Sequence, residues 1–213
     1  MDIAPEDLTA TVAEYKRLWP LLPTLHATIA KTASQEDTKT CARRLQMLGK
    51  KGGKQGISFA HPVEMDLFQD YLIYMYRPRG FSLTRKLYNR KKYSPESDEQ
   101  QLLHLMARAR FSVFWIKEVN AEGAMTAVDI TGGESFCILD QTLPNHDATN
   151  ILTGLRIFPF RGMWMHTGAS IPVGEITDPA DFRPLGVTLD ERGERALNEE
   201  TIQRWRSIVS ASG

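Results

Sequence analysis

This sequence has no long apolar run, only two cysteines, and an opening that does not match a signal-peptide pattern. No window approaches the roughly 18 consecutive apolar residues of a membrane-spanning helix, so we predict neither such a helix nor a membrane partner. Two cysteines, Cys41 and Cys137, are too few for a zinc cluster or a disulfide framework. The acidic opening MDIAPEDLTATVAEY does not have the pattern of a signal peptide. We therefore expect a cytoplasmic protein with reduced thiols.

Familiar catalytic motifs are also missing. There is no Gly-x-Ser-x-Gly, no His-Glu-x-x-His and no paired-carboxylate motif. The stretch LGKKGGKQGISF (48–59) is rich in glycine and lysine, but Leu48 and Gln55 stand where a P-loop requires Gly and Ser or Thr. We predict a solvated connection whose glycines end a helix. The alternative is that its backbone N–H groups and lysines hold a phosphate.

The chain has no net charge as a whole, but its charges are unevenly distributed along the sequence. The formal charge is zero, from 26 basic and 26 acidic side chains. Residues 39–92 hold 13 basic and 3 acidic side chains, a balance of +10, whereas residues 1–38 carry −3 and residues 93–213 carry −7. A basic segment between acidic flanks indicates either an anion-binding face or one side of an internal charge complement.

Aromatic residues are interleaved with these charges. The run YMYRPRGFSLTRKLYNRKKY (74–93) contains seven Arg or Lys, five aromatic side chains and no acid. Basic groups release counterions from a phosphate backbone, and aromatic rings offer stacking faces to unpaired bases. Alternatively, the tyrosines are core and the cations solvate one face, paired with the acidic C-terminal third. The predicted nucleic-acid-binding residues are Lys50, Lys51, Lys54, Arg77, Arg79, Arg85, Lys86, Tyr88, Arg90, Lys91, Lys92 and Tyr93.

One cluster contains residue types that bind metals. In HPVEMD, His61 and Glu64 are one helical turn apart, while Asp66 would point elsewhere. The start of a helix followed by acids in its first turns explains this pattern fully. We therefore predict no metal and no cofactor.

A second cluster contains a possible nucleophile. Cys137, Asp140 and His146 could form a thiol site, since a nucleophilic Cys needs a positioned base. A free Cys in the middle of an apolar strand is more often a small buried hydrophobe. We interpret His166 as a residue at a barrel rim, so no catalytic residue is predicted.

The apolar periodicity divides the chain near residue 110. Residues 1–110 have a helical period, with predicted helices near 25–33, 37–48 (ending at Gly49 as C-cap) and 83–89, among others. Residues 111–176 have the alternation and turns of short antiparallel strands. Residues 177–213 read as an acidic loop and a helix capped by Asn198. The predicted fold is α+β: a helical part packed on a small antiparallel SH3-like β-barrel, with a C-terminal helix.

The strand region resembles a known family. The runs AVDITGGESFCILDQTL and ILTGLRIFPFRGMWMHTGASIPV, with the helix EMDLFQDYLIYMY before them, are similar to a module of uncharacterised bacterial proteins. Related modules occur in proteins that carry a cysteine-rich SEC-C motif, which is absent here. The resemblance covers about residues 62–173. It implies the fold and no assigned chemistry.

Three functions are compatible with these patterns. The first is a non-catalytic module that binds RNA or single-stranded DNA through the basic, tyrosine-rich face. The second is a protein-interaction or regulatory module that docks a partner through the barrel or the acidic segment 175–200. The third is an enzyme without a familiar motif, for which a deep pocket lined by His61, His166 or Cys137 would argue.

Overall fold

The chain contains seven α-helices and seven β-strands within the residues described. The computed structural model describes residues 5–51, 54–120, 123–140 and 148–211, and the statements below refer to these. The helices are α1 (Pro5–Leu18), α2 (Leu21–Ala30), α3 (Gln35–Arg44), α4 (Val63–Asp70), α5 (Leu83–Asn89), α6 (Asp98–Met106) and α7 (Glu191–Ala211). The strands are β1 (Leu48–Lys51), β2 (Lys54–Ile57), β3 (Arg110–Val119), β4 (Ala124–Asp129), β5 (Ser135–Leu139), β6 (Ile151–Phe160) and β7 (Met163–Glu175).

These elements form two compact units. The helical unit is Leu21–Arg108, and the barrel unit joins Met1–Pro20 to Ala109–Gly213. The predicted α+β class, the barrel and the C-terminal helix are confirmed. The structural division falls close to the predicted change at residue 110, but α1 belongs with the barrel unit. Its Glu14 pairs there with Arg161, in the turn between β6 and β7, at 2.9 Å.

Serine caps fix the starts of three helices in the helical unit. Ser34 and Asp37 form a capping box on α3, in which the side chain of each bonds to the backbone N–H of the other. The Ser82 hydroxyl accepts from Arg85 N–H at the start of α5, and the Ser97 hydroxyl accepts from Gln100 N–H at the start of α6. The predicted bounds of α5 are confirmed at 83–89.

The glycine-rich stretch is a β-hairpin, so the prediction of a helix ending at Gly49 is wrong. α3 ends at Arg44, and Gln46 takes the left-handed conformation that was assigned to Gly49, with φ of 56°. β1 and β2 then pair antiparallel, with Gly49 opposite Gly56. A Cβ on Gly49 would lie 2.9 Å from the Cβ of Ser58, so this position needs glycine for close approach rather than for a helix end.

The barrel is closed by five strands in the order β3-β4-β5-β7-β6, with β6 returning to β3. Its interior is apolar, because the inward-facing residues of neighbouring strands pack on each other. The expectation of a wholly antiparallel barrel is wrong at one pair: β5 and β7 run parallel, with Ile138 opposite Trp164. The buried core residues are Phe114, Ile116, Met125, Ala127, Phe136, Ile138, Leu155 and Ile157.

The last strand is longer than the sequence suggested. MWMHTG and the short strand that was expected between Gly168 and Pro172 form one 13-residue strand, β7. Its register against β6 shifts between Leu155 and Ile157, and Gly168 there has φ of 109°. The pattern is that of a β-bulge, which bends one strand without ending it.

A strap, residues 182–190, connects the barrel to α7. Its Leu185 and Val187 N–H groups donate to the carbonyls of Ile130 and Thr131, at 2.9 and 3.0 Å. Phe182 packs on Trp115, with ring centroids 4.8 Å apart. The strap thus continues the hydrogen bonding of the barrel into a segment that was expected to be a loop.

The prediction of Asn198 as the cap of the final helix is wrong. α7 starts at Glu191, and Asp190 accepts from Gly193 N–H at 2.7 Å in the capping position. Asn198 lies inside α7, buried, and its Oδ1 accepts from the guanidinium of Arg156 at 3.2 Å. Asn198 therefore helps to attach α7 to the barrel.

Candidate nucleic-acid interface

α5 carries the largest group of exposed predicted site residues. Leu83, Thr84 and Leu87 are buried and fix the inward side of this helix. The outward side and the residues after the helix carry exposed cations. We call this group the α5 basic surface; its members are Arg85, Lys86, Arg90, Lys91 and Lys92.

The cations of the α5 basic surface have few protein partners. Within the described ranges, no ion pair joins Arg85, Arg90, Lys91 or Lys92 to an acidic group. Lys92 lies over the ring of Tyr93, with Nζ 5.3 Å from the centroid. The cations are therefore left available to an external anion.

Two electrostatic features of this surface destabilise α5 in the absence of a bound anion. Arg85 occupies the third position of α5, where the helix macrodipole disfavours a cation. Lys86 and Arg90 are four residues apart, a spacing at which like charges repel. Macrodipole stabilisation explains cations at the end of α5, but it does not explain Arg85.

One acid lies near this surface. The field of Lys86 acts on Asp37 of the α3 capping box. Burial opposes ionisation of Asp37, but hydrogen bonds from Ser34, together with one from the Tyr76 hydroxyl, outweigh it and lower the pKa of this carboxyl. Asp37 therefore stays ionised as part of the helix cap.

The other predicted cations lie on different elements. Lys50 is exposed on β1, and the hairpin contacts α3. The side chains of Lys51, Lys54 and Arg79, together with Gly52 and Gly53, lie outside the part of the chain that is described. Arg77 is half-buried and precedes the predicted turn, which is a 3-10 turn at Pro78–Gly80.

The tyrosines of the predicted face are largely engaged in the helical unit. Tyr74 is buried and its hydroxyl lies 2.9 Å from Nε2 of His26. Burial, followed by the hydrogen bond to Asp37, raises the pKa of Tyr76. The Tyr88 hydroxyl lies 3.1 Å from Nδ1 of His104, and Tyr93 is half-buried. The alternative that tyrosines belong to the core is thus correct for Tyr74.

Phe81 is a surface residue that the sequence analysis did not select. Its side chain is 59% exposed and it immediately precedes the Ser82 cap of α5. It was counted among five aromatics, but nothing in the sequence separated it from its buried neighbour Tyr74. The missing signal is tertiary packing, which covers Tyr74 and leaves Phe81 exposed.

The barrel unit contains a small polar cavity of about 250 Å³. Asp129 is fully buried behind it and accepts from Ser112, from Thr131 and from Arg110. Arg110, Ser112 and Thr131 of the cavity lining are thus joined through the Asp129 carboxylate. Its lining residues are Arg110, Phe111, Ser112, Thr131, Gly132, Glu134, Val187, Thr188, Leu189 and Glu194.

A buried ion pair lies next to this cavity. The guanidinium of Arg156, which is 1% exposed, lies 3.4 Å from Oε1 of Glu194 on α7. The same oxygen accepts from Phe111 N–H on β3 at 2.6 Å. Glu194 therefore satisfies a buried cation and a strand N–H at once, which points to a structural role in fastening α7.

The possible catalytic residues have structural partners. His166 is buried: Nδ1 lies 3.0 Å from Oδ2 of Asp140 and Nε2 lies 2.8 Å from the carbonyl of Ala169, while its position at the barrel rim stays a prediction. The bulge of β7 brings this carbonyl back to the ring. An acceptor at each ring nitrogen holds the imidazole in place.

The thiol does not have the environment of an activated nucleophile. Cys137 is half-buried on β5, and burial raises the pKa of its thiol, which lowers the thiolate fraction at neutral pH. His146 lies outside the described residues. The cavity lining includes neither Cys137 nor His166.

His61 and Glu64 have local structural roles. Glu64 is buried, and its Oε2 accepts from Ala60 N–H at 2.8 Å, while Nδ1 of His61 lies 3.3 Å from Val63 N–H. In the described ranges, no three His, Cys, Asp or Glu residues are grouped to hold a metal. No helix in these ranges is long and apolar enough to cross a membrane.

The chain belongs to a family without assigned chemistry. Residues 9–175 match the family described as Family of unknown function (DUF7986), so the match runs through the helical unit and ends with β7. No curated protein and no solved structure matches the chain. The family assignment therefore leaves function to be argued from the residues.

Proposed function

We propose that this protein is a non-catalytic module that binds nucleic acid, RNA or single-stranded DNA, through the α5 basic surface. The observation that supports this is a run of exposed cations in which Arg85, Arg90, Lys91 and Lys92 form no ion pair with an acid of the described ranges, Arg85 being at a position that the macrodipole disfavours. A phosphate backbone would relieve the repulsion that these cations impose on α5.

The test is neutralisation of the cations that follow the helix. The variant Arg90→Gln/Lys91→Gln/Lys92→Gln removes three positive charges from exposed sites. We expect it to bind a mixed-sequence single strand at least about tenfold more weakly at low salt. Fluorescence anisotropy with a labelled 20-nucleotide strand measures this directly.

A matched variant controls for total charge. Lys16→Gln/Arg192→Gln/Arg204→Gln removes three exposed cations from the barrel unit and changes the net charge equally. It should bind nearly as well as the unmodified protein. Equal losses in the two triple variants would remove the α5 basic surface from the proposal and leave only a dependence on overall charge.

A protein-interaction role is the second candidate. It is supported by the strap, on which Leu185 is 67% and Val187 is 45% exposed although both backbone N–H groups are bonded to the barrel. A complex recovered from cells equally well before and after nuclease treatment, and lost on Leu185→Ser/Val187→Ser, would favour this candidate. The resemblance to modules of SEC-C-motif proteins stays a prediction and supports neither of the two candidate functions.

A further inference from the structure

We infer that Phe81 is a base-stacking platform, so that the α5 basic surface selects unpaired over paired nucleic acid. This inference rests on the proposed function, because it names the residue that would give that surface its ligand preference. It depends on the position of Phe81 relative to the α5 cap.

Phe81 occupies a position where an apolar side chain is normally covered. The residue before a helix cap often packs on the fourth helical residue, which fixes the direction of the entering chain. In α5 the cap is Ser82 and the fourth residue is Lys86. Because Lys86 is an exposed cation, Phe81 has no apolar partner at that position and stays 59% exposed.

The backbone around Phe81 is well defined. Gly80 has φ of 87° and ends the 3-10 turn, and Phe81 itself is extended, with φ of −124° and ψ of 140°. The Ser82 hydroxyl then accepts from Arg85 N–H at 3.2 Å. The backbone therefore fixes Phe81 directly before the cap of the helix whose third and fourth residues are Arg85 and Lys86.

Charge complementarity decides what would cover this ring. An exposed ring next to the cap of a helix whose third and fourth residues are the exposed cations Arg85 and Lys86 suits a ligand with a flat apolar face and an adjacent negative charge, which a nucleotide of a single strand presents. A duplex keeps its bases stacked inside and offers phosphates only. A lipid surface would require a wider apolar face, but Leu83 and Leu87 are already buried in the helical unit.

The tyrosines do not replace Phe81 in this role. Tyr88 is engaged with His104, their ring centroids being 5.3 Å apart, and Tyr93 is covered on one side by Lys92. In the described ranges, Phe81 makes no such ring contact. Phe81 is therefore the aromatic residue beside α5 that is best placed to accept a base.

The experiment compares Phe81→Ala with Met65→Ala, whose side chain is also 59% exposed and belongs to the same unit. The probes are a 20-nucleotide thymidine strand, a 20-base-pair duplex and vesicles that contain phosphatidylserine. We expect Phe81→Ala to lose at least about fivefold in affinity for the single strand and less than about twofold for the duplex. Met65→Ala should change neither.

A spectroscopic variant separates stacking from a structural effect. All four tryptophans, Trp19, Trp115, Trp164 and Trp205, belong to the barrel unit, so Phe81→Trp places an indole in the helical unit. Thymidine strand should quench this added fluorescence, and affinity should be retained. Phe81→Leu keeps an apolar side chain without a π-face and should bind as weakly as Phe81→Ala.

The outcomes distinguish this inference from the function on which it rests. If Phe81→Ala binds the single strand normally while neutralisation of Arg90, Lys91 and Lys92 weakens it, the stacking role is overturned and the proposed function stands. If the unmodified protein binds neither oligonucleotide, the proposed function fails and the inference with it. Binding to vesicles alone, with dependence on Phe81, would assign the ring to a lipid surface instead.

Discussion

At the scale of single residues, a buried ion pair has a structural role, whereas a group of exposed cations lies on and after α5. Arg156 is 1% exposed, and its guanidinium donates hydrogen bonds to the side chains of Glu194 and Asn198. Removing one member of a buried ion pair leaves the other charge in a medium of low dielectric constant. The resulting loss in free energy of unfolding is larger than the net contribution of the intact pair. Substitution of Glu194 should therefore lower stability strongly.

We predict that Glu194→Ala lowers the free energy of unfolding of the barrel unit by about 3–5 kcal/mol. It removes the carboxylate that pairs with Arg156 and that accepts from Phe111 N–H. Urea unfolding followed by tryptophan fluorescence reports on the barrel unit alone, because all four tryptophans lie there. The exposed Glu200→Ala on the same helix should change stability by less than about 0.5 kcal/mol. Equal stability of the two variants would contradict the structural role of Glu194.

The stability of the start of α3 should depend on pH through the ionisation of Asp37. Its pKa is lowered in the folded protein, so its contribution is present at neutral pH and is lost as the pH falls below about 4. We expect Asp37→Asn to weaken the protection of α3 amides from hydrogen exchange at pH 7, and the difference from the unmodified protein to shrink toward about pH 2.5. Glu36→Gln, which leaves the capping box intact, should show a smaller effect. A difference that is constant with pH would rule out the ionised cap.

Sequence patterns predicted some residue environments and missed others. The bounds 83–89 of α5 were predicted, and they leave Ser82 directly before the helix, where its hydroxyl accepts from Arg85 N–H. Exposure of Phe81 and burial of Tyr74 could not be predicted, since both are aromatic residues in one basic run. The left-handed conformation of Gln46 was likewise hidden, because glycines nearby offered a more usual place for it.

At the scale of elements, the attachment of α7 depends on one small residue of the barrel. A Cβ on Gly154 of β6 would lie 2.8 Å from Cζ of Phe111 and 2.9 Å from Cγ2 of Thr201 on α7. Close approach of a helix to a strand therefore requires glycine here. This contact joins elements that are far apart in sequence, so it cannot be predicted from a local sequence pattern.

We predict that Gly154→Ala destabilises the barrel unit by about 1–3 kcal/mol, because the added methyl overpacks the junction with α7. Gly174→Ala is a matched control on the neighbouring strand β7, where the nearest atom to the added Cβ is 3.9 Å away. Both variants can be compared by urea unfolding with tryptophan fluorescence. A Gly154→Ala protein as stable as the control would show that α7 does not pack closely at this point.

The elements also show how far local sequence determines a fold. Each barrel strand was predicted from its alternation and its turns, but closure by the parallel pair of β5 and β7 is a non-local event. The hairpin of β1 and β2 was missed because four glycines in eight residues weaken any strand pattern. Of the candidate site, the sequence analysis named the cations on and after α5, but it did not name the exposed Phe81 before the helix cap.

At the scale of the whole molecule, the zero net charge divides between the two units. The helical unit holds 15 basic and 8 acidic side chains, a net of +7, while the barrel unit holds 11 and 18, a net of −7. The charge separation in the sequence thus follows the structural division. An anionic ligand is attracted to one unit and repelled by the other, which favours binding at the helical unit.

The most direct test of nucleic-acid binding is the affinity of the unmodified protein for mixed-sequence single-stranded RNA and DNA across about 50–200 mM salt. We expect affinity to fall steeply, and the log–log slope to be shallower by about 2 in the Arg90/Lys91/Lys92 variant, from roughly 0.7 per neutralised cation. An absence of binding at the lowest salt concentration would rule out nucleic-acid binding, and an unchanged slope in that variant would rule out the α5 basic surface as its site.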